Sequence, residues 1–215
     1  MTPRSRRRSR RTSWSSRTSR TPSSTTRKRR RSTTTSDPRQ AVVALALGGN
    51  LPGLLPGTAG SSSEPTLVWA LRQLEASLGP LRVASLYRSR PVSPVAQADY
   101  LNTAAVGSTA LPPEAVLALA KALELAAGRR RAVRFGPRPL DVDLLVYGDL
   151  LSDAPELTLP HPRLRERRFV LAPLAEVAPG LLVPPDGASA AELLARLGPT
   201  GEADAVERLA WESRP

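Results

Sequence analysis

From Ala41 to Tyr147 the chain alternates strand-like and helix-like segments in the order β, α, β, β, α, β, which few folds accept. AVVALAL (41–47) is a short apolar run suited to a buried strand, and it ends at Gly48, Gly49 and Asn50. Pro52–Ser63 is rich in Pro, Gly and Ser and reads as a flexible loop. Pro65 suits the first turn of a helix whose Leu67, Leu71, Leu74 and Leu78 share one face, stopped by Gly79 and Pro80. Leu81–Arg88 and Leu101–Thr109 read as strands. A second amphipathic helix opens at Pro113 and Glu114 and runs to Gly128, and Asp141–Tyr147 is a fourth strand. The predicted fold class is therefore α+β, a ferredoxin-like βαββαβ sandwich whose antiparallel sheet is backed by two helices. C-terminal helical additions are expected near Arg163–Leu174 and Ala188–Leu197, with a frayed end. Residues 41–185 form the expected domain and 186–215 an extension.

The formal charge of +12 suggests nucleic acid until its location is considered. Residues 1–40 hold 14 Arg or Lys against one acid, Asp37, leaving 17 basic and 18 acidic residues in the remainder. The folded part is not a basic protein. The first 40 residues are almost entirely Arg, Ser and Thr and cannot bury enough apolar surface to offset their ordering entropy. The expectation is a disordered, dispensable tail. Nonspecific polyanion binding, a transit peptide and a start site assigned too far upstream are its alternatives. The absence of cysteine rules out disulfides, thiolate metal sites and thiol redox chemistry, and fits a cytoplasmic location. No apolar run approaches the roughly 20 residues a spanning helix needs, so no membrane association is expected.

The chemistry concentrates in GRRRAVRFGPRPLDVDLLVY (128–147). Asp141 and Asp143 stand two apart in a strand, so their carboxylates leave one face. Paired carboxylates repel unless a cation lies between them, and hard oxygen donors without neighbouring His or Cys favour Mg²⁺. On spacing alone, the plainer reading is an exposed strand end with two solvated acids. Arg129, Arg130, Arg131, Arg134 and Arg138, arriving just ahead of the acids, tip the balance, because guanidinium forks match phosphate oxygens. Neither a Walker loop nor a kinase glycine loop is present.

RFGPRPLDVDLL (134–145) resembles the signature of the 6-hydroxymethyl-7,8-dihydropterin pyrophosphokinases, Arg-x-Gly-Pro-Arg followed by Leu-Asp-x-Asp. LALGGNL (45–51), SLYRSRPV (85–92), DYLNTAAVG (99–107), LELAAGRRR (123–131) and LPHPRLRERRFVLAPLAEVAP (159–179) match in the same order. The resemblance implies transfer of the β,γ-diphosphate of ATP to the pterin hydroxymethyl, with release of AMP, as a step of folate biosynthesis. It implies two Mg²⁺ ions on Asp141 and Asp143, and ATP as co-substrate. By the same resemblance, Arg129 and Arg138 are the catalytic arginines of a mobile loop. ATP is expected at Glu124, Arg131, Arg134, Leu144, Thr158, His161 and Arg167. The pterin is expected at Ser89, Pro91, Val92, Tyr100, Asn102 and Phe169. Gly49 and Phe135 depart from the family pattern, which carries Ser and commonly Trp there.

The expected partners are ATP and a dihydropterin, with nucleic acid at most nonspecifically through the tail, and the expected state is a monomer. The runner-up, an RNA-binding module on the same fold, requires stacking aromatics on the central strands. Leu101–Thr109 has none and Asp141–Tyr147 has only Tyr147, so it ranks below the enzyme. A pyrophosphokinase relic that folds without activity is a third reading.

Overall fold

The computed structural model describes residues 40–55, 62–91, 96–129, 136–201 and 204–212. Residues 1–39, and with them nearly all of the tail, lie outside this set. Strand β1 (Ala41–Gly49) leads to helix α1 (Glu64–Leu78), then to β2 (Leu81–Val83), β3 (Leu86–Ser89) and β4 (Tyr100–Thr109). Helix α2 (Pro113–Ala126) and β5 (Asp141–Tyr147) complete the βαββαβ order, in which β2 and β3 together stand for the second strand. All pairings in the sheet are antiparallel, with the order β3, β4, β1, β5 and with β2 on β4 beyond β3.

The stretch expected to be one strand is two. Val83 lies opposite Ala105 but Tyr87 lies opposite Asn102, four steps along one strand against three along the other. The extra residue is a bulge at Ala84 and Ser85. Helix α3 (Arg168–Val177) holds it from the side: the Ser85 amide and hydroxyl donate to Glu176 at 3.2 and 2.9 Å, and the Tyr87 hydroxyl donates to Glu176 at 2.9 Å.

Both faces of the sheet are covered, which is why β1 reads as a continuous apolar run. Val43, Leu45 and Leu47 point into the core beneath α1 and α2. Ala44 and Ala46, with Ala104 and Val106 of β4, point the other way, against Leu171 and Leu174 of α3 and Leu193 of α4 (Ala190–Arg196). Small side chains on that face let α3 approach closely, as jigsaw packing requires. Helix α4 opens on a capping box in which Ser189 Oγ accepts from the Glu192 amide and Glu192 accepts from the Ser189 amide.

Two small hairpins decorate the frame, β6 (Ser152–Ala154) with β7 (Leu157–Leu159) and β8 (Leu182–Val183) with β9 (Ala188–Ser189). The sequence pattern does not foretell them. The end of the chain also departs from expectation, since β10 (Val206–Leu209) does not fray but pairs antiparallel with β3. An unpaired strand edge is a ready template, and side chains lock this one in place. Arg88 pairs with Glu207, Arg208 reaches Glu176 at 2.7 Å, and the Trp211 indole donates to the Ala84 carbonyl at 2.9 Å.

Candidate active site

Val142 and Leu144 of β5 face the α1/α2 core, so Asp141 and Asp143 face the α3 side. There, Asp141 stands opposite Gly48 on β1, and Gly48 stands opposite Asn102 on β4. The three residues form one row across the sheet, with no side chain in the middle. A Cβ at Gly48 would meet Asn102 Oδ1 at 3.0 Å, and one at Gly49 would meet the Pro139 carbonyl at 2.4 Å. Glycine at 48 keeps the row open and glycine at 49 admits the 136–140 segment. A cavity of about 150 Å³ lies over this row.

Cationic groups surround the acids. Arg129 Nη1 donates to Asp141 Oδ1 at 2.6 Å and Arg138 Nη1 to Asp141 Oδ2 at 2.9 Å. His161 Nε2 and Arg167 Nη1 each stand 3.7 Å from Asp143 Oδ2. Burial, and then the Asp141 charge, push the Asp143 carboxyl upward. Burial likewise lowers His161, against the pull of Asp143. Glu124, at the end of α2, accepts from the Val142 amide at 2.8 Å and pairs with Arg129; burial pushes its carboxyl up to about 7.

At the other end of the row, both Asn102 donors are used on β3: Nδ2 reaches the Tyr87 carbonyl at 3.1 Å and Ser89 Oγ at 2.9 Å. No described residue donates to Asn102 Oδ1, the acceptor left toward the cavity. Tyr100 and Phe169 line the same space, and the Arg167 guanidinium carbon stands 5.5 Å from the Phe169 ring centroid, a cation–π distance.

The sequence expectations divide by placement. Ser89, Tyr100, Asn102 and Phe169 line the cavity, as do Arg138, Asp141, Asp143 and Arg167. Glu124, Arg129 and His161 reach it through their contacts with Asp141, Val142 and Asp143. Leu144 does not join them, because its side chain is buried in the α1/α2 core. Thr158 sits on β7, its hydroxyl donating to the Ala154 carbonyl at 3.1 Å, and Pro91 follows β3 without lining the cavity. Arg131, Arg134 and Val92 lie outside the described residues.

Asn50, which the sequence marks only as the end of the apolar run, does more than stop a strand. Its Oδ1 accepts from the Arg138 amide at 2.8 Å, and its Nδ2 donates to Gln97 Oε1 at 2.9 Å and the Ala98 carbonyl at 3.0 Å. Two segments that line the cavity thus hang on one amide. Arg90 and Arg163, which also line the cavity, carried no distinguishing signal in a chain rich in arginine.

The family model for 7,8-dihydro-6-hydroxymethylpterin-pyrophosphokinase matches residues 44–179, well over half of the chain. This chain belongs to that family. Accordingly it is an ATP-dependent pyrophosphokinase, and the reaction of its class moves pyrophosphate from ATP to hydroxymethyldihydropterin in folate biosynthesis. The 2-amino-4-hydroxy-6-hydroxymethyldihydropteridine pyrophosphokinase of Synechocystis is 38% identical over 150 residues, covering 70% of this chain and 73% of that protein. That of Methylorubrum extorquens is 42% identical over 138 residues, covering 63% and 85%. A crystal structure of Plasmodium falciparum HPPK-DHPS superposes with a TM-score of 0.57 at 14% identity, a likeness of fold. The match spans 73% of this chain but 43% of that longer one. Among the described residues no helix is long and apolar enough to cross a membrane.

Proposed function

We propose that the row Asn102–Gly48–Asp141 is the axis of the reaction, with the pterin at one end and the ATP phosphates at the other. Two strand spacings separate its ends, roughly 10 Å, enough to set a bicyclic ring beside a phosphate chain. This row is the observation that carries the reading. Asn102 Oδ1 accepts from the amino edge of the pterin, Tyr100 and Phe169 flank the ring, and Ser89 borders it. Arg129, Arg138, His161 and Arg167 bind phosphate oxygens, and the adenosine lies toward Thr158. The pterin hydroxymethyl oxygen bonds to the β-phosphorus, the bond to the α,β-bridging oxygen breaks, AMP leaves and the hydroxyl gives up its proton.

The donor set fits Mg²⁺. Asp141 and Asp143 share one face, and burial and then the Asp141 charge push the Asp143 carboxyl upward, a cost that a divalent cation removes. Among the described residues no group of three or more His, Cys, Asp or Glu could hold a metal alone, so the remaining ligands must be water and phosphate, as Mg²⁺ prefers. Bound there, Mg²⁺ neutralises phosphate charge and orients the polyphosphate. The chain's own groups do the rest: arginines position the phosphates, and the row holds the hydroxymethyl in line.

Purified protein given ATP, Mg²⁺ and 6-hydroxymethyl-7,8-dihydropterin yields AMP and the pterin diphosphate. Asp141→Ala or Asp143→Ala lowers AMP formation by at least ~100-fold, several kcal/mol of transition-state stabilisation, with the fold retained. ADP as product, or no pterin-dependent turnover by folded protein, overturns the proposal.

A further inference from the structure

The Asp143 side of the cavity carries an excess of positive charge that Asp143 alone does not balance. Arg163 and Arg167 both line it. Arg163 opens the 3-10 turn Leu164–Glu166, and the turn is pinned to His161 from two directions. The Arg163 amide donates to His161 Nδ1 at 3.2 Å and the Leu164 amide to the His161 carbonyl at 3.0 Å. With Nδ1 engaged, His161 turns Nε2 toward Asp143, and the same turn brings the Arg163 side chain to the cavity wall. Its one ion-pair partner among the described residues is Glu166, at 3.7 Å, and those side chains are 49% and 68% exposed. A pair that open to water contributes little.

Arg163 and Arg167 line the same cavity, and their like charges oppose each other. Two guanidinium groups on one wall, with a single carboxylate 3.7 Å from one of them, complement an anion of more than one charge. Resting on the pyrophosphokinase reading above, we infer that Arg163 is a further phosphate-binding residue, which with Arg167 grips the polyphosphate of ATP from the Asp143 side of the cavity. Arg129 and Arg138 serve the Asp141 side. The pterin end of the row, at Asn102, is outside its role.

The test compares wild type with Arg163→Ala, Arg163→Lys and Arg163→Glu, in steady-state turnover and in calorimetric titration with Mg²⁺ and α,β-methylene-ATP. Losing one charge-assisted contact raises the KM for ATP and the Kd of the analogue by about 10-fold in Arg163→Ala, less in Arg163→Lys and more in Arg163→Glu. The KM for the pterin and the melting temperature stay at their wild-type values. Affinity within about twofold of wild type in Arg163→Ala overturns the inference, as does an equal rise in KM for both substrates. A wild-type protein that makes no AMP sinks the pyrophosphokinase reading instead, and the analogue titration still reports on Arg163.

Discussion

Asn50 and Arg138 are joined twice: the Asn50 amide donates to the Arg138 carbonyl at 2.9 Å, and the Arg138 amide donates to Asn50 Oδ1 at 2.8 Å. Asn50 is buried, and its Nδ2 also binds the segment at Gln97 and Ala98. One side chain therefore registers the arginine segment against the segment at Gln97 on the cavity wall.

Asn50→Ala leaves the Arg138 amide and the Ala98 carbonyl without their partner. Stability should fall by about 1–3 kcal/mol, the penalty of a buried polar group left unpaired. Turnover should fall beyond that loss, because Arg138 is released from its register. Urea unfolding and kcat measured on the same preparation check both effects, and a loss of stability with unchanged kcat would show that the tether has no part in catalysis.

Asn102→Ala removes the acceptor proposed for the pterin and also the bonds to Tyr87 and Ser89. Pterin affinity should weaken by about 1–3 kcal/mol with ATP affinity little changed. Gly48→Ala separates the two roles, since its Cβ crowds Asn102 Oδ1 at 3.0 Å while leaving the Nδ2 bonds in place. It should raise the pterin KM about tenfold with a smaller loss of stability. Comparison of the two substrates' KM values decides the matter.

Arg129 and Arg138 both donate to Asp141, so they compete with a cation for the same carboxylate. Arg138→Ala should bind Mn²⁺ about two- to fivefold more tightly in the absence of nucleotide, the scale of a partly exposed ion pair. The same substitution should lower kcat by about 10²–10³ if the arginine's contact in catalysis is with phosphate, as proposed. Water-proton relaxation reads the metal affinity, and Mn²⁺ binding unchanged by the substitution would refute the competition.

Burial, followed by the bond to Glu176, pushes the Tyr87 hydroxyl from 10.0 up to about 12. Between those values the native chain keeps a proton that the unfolded chain loses, so stability falls as pH rises through the window. Tyr87→Phe abolishes this part of the pH dependence. Urea midpoints measured from pH 9 to 11.5 should converge between wild type and variant as pH rises, and parallel curves would exclude the linkage.

Much of this was legible in residue order alone. A strand has a two-residue period and no freedom to change it, so Asp141-Val-Asp143 places two carboxylates on one face wherever the strand goes. Helix stops and the β1 run were equally local signals. The sequence by itself thus determined the element order, the metal-like pair and the arginine-rich approach. Tertiary structure alone decided which residues share a row: Asn102, Gly48 and Asp141 come from three strands, and only register sets them opposite one another. It likewise decided that Leu144 turns into the core, that Asn50 ties two segments and that β10 closes the sheet edge. Those outcomes depend on partners far along the chain, and no local propensity records the energy of a contact whose other half is 50 or 100 residues away.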